Sequence, residues 1–121
     1  MSPTERRRRG TSAEDLAARY LERQGIRILE RNFNTRLGEI DLIGREGDVL
    51  VFVEVRSLSA SAEFHPFQTL TRRKLEHLRK AMELYLYRRG LSGKVPVRLD
   101  VVAVIWSRPP RIEHLRDAYR W

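Results

Sequence analysis

The stretch "GEIDLIGREGDVLVFVEVRS", Gly38 to Ser57, decides the reading of this chain because it sets Asp41 and Glu54 inside two of its most apolar runs. "EIDLIG" and "VLVFVEVRS" read as two strands, the second through its heavy Val and Phe content. "REGD" between them predicts a tight hairpin turn. A carboxylate within an apolar strand is costly to desolvate unless a cation, a donor or a metal meets it. Both acids therefore call for a partner.

With a two-residue turn at Glu46 and Gly47, Arg45 pairs with Asp48, Asp41 with Phe52 and Glu39 with Glu54. Glu39, Asp41, Glu54 and Arg56 then share one face. Asp41 and Glu54 become diagonal neighbours, Cβ atoms roughly 7 to 8 Å apart at most, close enough to converge on a hard cation such as Mg²⁺. Asp, twelve residues, Glu, one residue and a basic residue is a pattern that a metal-dependent phosphodiesterase site needs. Two carboxylates hold the ion, the ion polarises the phosphate and acidifies a water, and the neighbouring cation stabilises charge on phosphorus. The competing reading is a surface ladder of ion pairs, for instance Arg56 with Glu39 or Asp41, against which the apolar flanks count.

Working outward, residues 1–10 form a basic, flexible arm carrying Arg6, Arg7, Arg8 and Arg9, a block that repels itself until a phosphate surface neutralises it. From Thr11 the spacing becomes helical, and Thr11 with Glu14, or Ser12 with Asp15, supplies a capping box. The expected helix runs from about Ser12 to Gln24, stopped by Gly25, and "IRILERNF" follows as a strand. Beyond the hairpin, Ser57 to Gln68 reads as a loop. A long helix from about Thr69 to Arg89 follows, with Leu75, Leu78, Met82, Tyr85 and Leu86 as its apolar stripe. "VRLDVVAVIW" is a buried strand and "IEHLRDAYRW" a closing strand or helix. The order is α, β, β, β, α, β plus a short C-terminal extension, an α/β class forming one domain over 11–121.

Composition narrows the partners. Lys and Arg number 24 against 16 Asp and Glu, a net +8 carried almost wholly by arginine, which favours nucleic acid. No cysteine is present, so disulfides and thiolate metal sites are excluded. The basic start lacks the apolar core of a signal peptide, and no apolar run is long enough for a membrane span. The chain thus reads as cytoplasmic, without a membrane partner. His65, His77 and His114 show no ligand spacing, which argues against zinc.

"AEDLAARYLERQGIRILERNF", "GEIDLIGREGDVLVFVEV", a helix carrying Lys74, "VRLDVVAV" and "IEHLRDAYRW" resemble, in that order, the YraN-like family of small bacterial proteins. The likeness covers about Gly10 to Trp121, and "GEIDLI" followed by "VFVEV" is its most specific part. It implies the restriction endonuclease-like fold, a mixed β-sheet flanked by helices, with a PD-(D/E)XK nuclease signature and a likeness to Holliday junction resolvases. By position, Asp41 matches the motif aspartate, Glu54 the motif acid and Glu14 the acidic residue of the first helix. Mg²⁺ or Mn²⁺ would be the cofactor, with Asp41, Glu54 and Glu14 as ligands.

One departure stands out. Where the signature has lysine, this chain has Arg56, which stays protonated and acts only as an electrostatic clamp. Lys74, about 50° from the centre of the apolar stripe, is a candidate replacement. Other residues carry two readings each: Glu14 as ligand or capping-box residue, Gln68 as phosphate contact or helix cap. Arg72 and Arg73, with Arg79 and Arg88, read either as a solvated face or, with Arg6 to Arg9, as the lining of a nucleic-acid groove. Two functions of different class follow. One is a metal-dependent nuclease acting on structured or branched DNA, for which a resolvase-like role would require a homodimer. The other is a non-catalytic nucleic-acid-binding module with a degenerate nuclease site.

Overall fold

The valine-rich run of the hairpin lies at the middle of a five-stranded sheet, where both of its faces are covered. The computed structural model describes residues 3–63 and 65–119, with the backbone alone described for residues 3–12, 66 and 69. In chain order the elements are α1 (Pro3–Arg23), β1 (Arg27–Asn34), β2 (Glu39–Glu46), β3 (Val49–Ser59), a 3-10 turn at Pro66–Thr69, α2 (Arg72–Arg88), β4 (Val97–Trp106) and β5 (Arg111–Leu115). The sheet order is β1-β2-β3-β4-β5. β1, β2 and β3 form an antiparallel meander, β3 and β4 run parallel, and β5 returns antiparallel to β4. The parallel step requires a crossover, which α2 supplies. This is a mixed sheet flanked by two helices, in keeping with a restriction endonuclease-like fold, and the C-terminal extension is β5.

The period-2 pattern of β3 sorts its residues between two cores. Leu50 and Phe52 pack with Leu78, Ala81, Met82 and Tyr85 of α2. Val51 and Val53 pack with Ala17, Ala18 and Leu21 of α1. One helix therefore covers each face, which explains why β3 and β4 read as continuous apolar runs. Phe33 and Phe52 both meet the Tyr85 ring edge to face, at 5.2 and 5.6 Å between centroids, and tie α2 to β1 and β3.

Several boundaries differ from those read in the sequence. The α1 backbone is helical through the Thr11 to Asp15 capping pattern and starts at Pro3, since the glutamate and arginines before it are good helix formers. The side chains of Arg6 to Arg9, assigned to a separate arm at 1–10, lie outside the described residues. β3 continues to Ser59, into the segment read as loop, because parallel pairing with β4 holds through Ser59 and Trp106. α2 starts at Arg72, where Thr71 caps it by accepting the Lys74 amide at 3.1 Å.

The hairpin register also needs correction. Arg45 faces Leu50, not Asp48, and Glu46 faces Val49, so the turn is Gly47 and Asp48. Gly47 takes a φ of +58°, and placing it at the turn supplies the positive φ at the residue that tolerates it. The register moves by two residues. An even shift preserves the faces, so Asp41, Glu54 and Arg56 remain on one side.

Candidate active site

The ladder between β2 and β3 ends at Leu42 and Val53, and Asp41 and Glu54 are the first residues beyond it. They are therefore next to each other in register, closer than the diagonal expected from the sequence. There the sheet forks. β2 continues against β1, with Ile40 facing Phe33 and Glu39 facing Asn34, while β3 continues against β4. In the fork an Asp41 carboxylate oxygen accepts the Val55 amide at 2.8 Å, so a side chain replaces the lost strand partner. Asp41 is thereby fixed in orientation by the backbone it faces.

Glu54 is only 4% exposed. Its Oε1 lies 3.7 Å from Lys74 Nζ and 3.8 Å from Arg56 Nε, both beyond hydrogen-bond range. Its Oε2 is buried without a hydrogen-bond partner among the described residues. Burial first, and then the Asp41 charge, push the Glu54 carboxyl up to about 7 against the pull of Lys74 and Arg56. Asp41 is raised as well, chiefly by burial, with the Val55 amide and Lys74 opposing. Burial and mutual repulsion oppose joint ionisation of the two acids, and Lys74 and Arg56 offset this only in part. A hard divalent cation would supply the remaining positive charge, and the unbonded Glu54 oxygen fits a ligand role.

Glu14 of α1 lies near enough to feel the Asp41 charge; burial, then Asp41, raises it, while its side-chain hydrogen bond with Asn32 opposes them. Among the described residues no three His, Cys, Asp or Glu side chains gather into a metal-binding group. A cation held by Asp41 and Glu54 would therefore complete its shell with water and phosphate oxygens, as Mg²⁺ commonly does.

The other residues singled out in the sequence are more dispersed. Lys74 is drawn into the site from α2, although its helical position is off the apolar stripe. Arg72 and Arg73 precede it in the first turn, where no acidic residue offsets them. The Gln68 Oε1 accepts the His65 amide at 2.9 Å and closes a capping box on the 3-10 turn, the cap role weighed for it. Sequence reasoning placed Glu39 on the correct face and weighed it only as an ion-pair partner of Arg56; its charge acts on both Asp41 and Glu54. The contribution of the Val55 amide had no sequence signal, since it arises from where the ladder ends.

No described helix is long and apolar enough to cross a membrane. Residues 13–104, which include Asp41, Glu54, Arg56 and Lys74, match the model of "Uncharacterised protein family UPF0102". A UPF0102 protein of Pelotomaculum thermopropionicum is 43% identical over 91% of this chain and 93% of its own length. One from Chromohalobacter salexigens is 43% identical over 98% and 95%, and one from Thermotoga neapolitana is 44% identical over 89% and 94%. These matches bear out the YraN-like resemblance, and the chain belongs to the UPF0102 family.

Proposed function

We propose that this protein is a metal-dependent nuclease that hydrolyses phosphodiester bonds in structured or branched DNA. The observation that carries the reading is the pair of buried acids at the fork, one with an unbonded oxygen, facing two cations. Asp41 and Glu54 would hold Mg²⁺ or Mn²⁺. When bound, such an ion polarises a phosphate oxygen and acidifies a coordinated water.

The remaining chemistry belongs to the chain. The Val55 amide holds the Asp41 carboxylate toward the fork. Lys74 donates hydrogen bonds that orient an attacking water or a phosphate oxygen, taking the place of the signature lysine from a neighbouring helix. Arg56 offers a planar fork of donors to the phosphate and stabilises the negative charge that grows in the transition state, without exchanging a proton.

The surface of α2 supports a nucleic-acid partner. Arg79 is held by Glu76 and Glu83, whereas among the described residues Arg72, Arg73 and Lys80 form no ion pair. With Glu76 and His77 they line an open cleft of about 550 Å³. Arg72 and Arg73, unpaired among the described residues at the N-terminus of α2 and against the helix dipole, are better explained by phosphate binding than by stability.

The test is cleavage of flap, junction and single-stranded DNA with Mg²⁺ and with Mn²⁺, using Asp41→Asn and Glu54→Gln as controls. Cleavage by the native chain that both substitutions abolish is the expected result. Salt-dependent binding with no cutting above the controls would replace the enzyme with the binding module.

A further inference from the structure

The turn between β1 and β2 is more tightly made than a connection at a sheet edge requires. Thr35 Oγ1 accepts the amides of Leu37 and Gly38, each at 3.1 Å, and donates to the Gly38 carbonyl at 2.7 Å. The Thr35 amide donates to that same carbonyl at 2.9 Å. Gly38 is pressed against α2, where a Cβ would come within 2.4 Å of the His77 carbonyl oxygen. No side chain fits there, so the turn is held at a fixed approach to the helix that carries Lys74.

This rigid turn presents Arg36 and Leu37 at its tip. Leu37 is a 47% exposed apolar side chain, and its neighbour Gly38 abuts the backbone of His77, one of the residues that with Arg72, Arg73, Glu76 and Lys80 line the cleft on α2. A lone exposed leucine usually needs no explanation. This one sits on a turn closed by the Thr35 hydrogen bonds and pressed against α2 at Gly38, and β2 leads from it directly to Glu39 and Asp41. Four residues of extended chain span at most about 14 Å, or about four base steps at ~3.4 Å each.

We infer that Leu37 enters the base stack of a bound nucleic acid next to the phosphate held at the fork. Phosphates match Arg36 and the cations of α2, and they offer nothing to a leucine. Exposed base faces do, and apolar side chains that enter a base step unstack it. The substrate is therefore a strand whose stacking is already interrupted, at a bulge, a branch or a junction of single and double strand, where entry costs least. The wedge rests on the nucleic-acid partner proposed above, and its position relative to a cut rests on the nuclease reading.

The experiment uses the full chain in EDTA with DNA carrying 2-aminopurine at a single-base bulge, and a fully paired duplex as reference. Binding should raise 2-aminopurine fluorescence several-fold. Leu37→Ala should lose that rise and reduce the preference for bulged over paired DNA about tenfold, the value of one buried leucine side chain. Leu37→Phe should restore both, while affinity for the paired duplex and its salt dependence stay unchanged. A fluorescence rise or a preference that survives in Leu37→Ala overturns the wedge, whatever cleavage assays give. A Leu37-dependent rise in a protein that never cuts would retain the wedge and overturn the nuclease. Absence of binding to either DNA overturns the wedge and leaves the nuclease to the cleavage assay with metal.

Discussion

Two buried acids on neighbouring strands live in opposite circumstances. Asp100 of β4 is fully buried and paired in the sheet with Val53, one residue before Glu54. Arg98 Nε donates to it at 2.9 Å, the Asp117 amide donates at 2.9 Å, and His114 Nε2 lies at 2.8 Å. Arg98 continues to Glu46 at 2.7 Å, and Tyr20 reaches His114 at 3.2 Å, which ties β5 to α1. These partners hold the Asp100 carboxyl below its ordinary range although burial opposes them. Glu54, nearly as buried, has cations near it but among the described residues no hydrogen bond to Oε2, and is raised to about 7. Equal burial thus divides into a satisfied acid that holds the fold and an unsatisfied one suited to a ligand.

The largest expected effect comes from breaking the satisfied side. Asp100→Asn leaves Arg98 without its buried charge partner and should destabilise the protein by about 3 to 5 kcal/mol in urea denaturation. Glu54→Gln, by contrast, should not destabilise the metal-free protein above neutral pH. Equal losses in the two variants would dissolve the distinction.

A second effect, on the order of 3 kcal/mol, separates the acids by pH. Glu54 has a raised carboxyl, so between its ordinary 4.5 and about 7 the folded state binds more protons than the unfolded chain. Its contribution to stability is complete below 4.5 and is lost as pH rises through about 7. Asp100 runs the other way: its contribution is present above its ordinary 3.8 and is lost as pH falls through the depressed folded value. Stability measured against pH should therefore decline from about 4.5 to 7 in the native chain and flatten there in Glu54→Gln.

Metal sharpens the contrast at smaller amplitude. Mg²⁺ or Mn²⁺ at ten times its dissociation constant should stabilise the folded state by about 1.4 kcal/mol, read as a rise in Tm. Asp41→Asn should lose that rise, and Asp100→Asn should keep it. At or below the same size, Arg56→Lys should speed cleavage by at most about tenfold, about 1.4 kcal/mol in barrier, with DNA affinity unchanged. Lys74→Ala should then slow the native chain more than the Arg56→Lys variant, as two lysines able to serve one role require.

Much of this arrangement was legible in the residues. Val97 to Trp106 forms the strand its apolar run predicted, and Leu78, Met82 and Tyr85 are buried on α2 as their spacing predicted. The face shared by Asp41, Glu54 and Arg56 survived a register error, because the side-chain period of two absorbs an even shift. What was not legible depends on partners distant in sequence. Helical bookkeeping put Lys74 off the apolar stripe, and only the sheet beneath α2 determines that this offset points at Glu54. The fork has no sequence signal, since a strand gives no sign of where its neighbour departs. Arg98 is two residues from Asp100 on one strand, but the contribution of His114 required the return of β5, whose element type the sequence left open.

The most direct measurement is a calorimetric Mn²⁺ titration at about pH 6, repeated in buffers of different ionisation enthalpy and again at about pH 8.5. A Glu54 carboxyl raised to about 7 holds a proton at the lower pH, which a metal bound by Asp41 and Glu54 must displace. We expect one site, release of roughly one proton per Mn²⁺ at the lower pH and almost none at the higher, and loss of binding in Asp41→Asn and in Glu54→Gln. No binding, or binding that releases no proton and persists in both variants, would contradict a metal site at the fork.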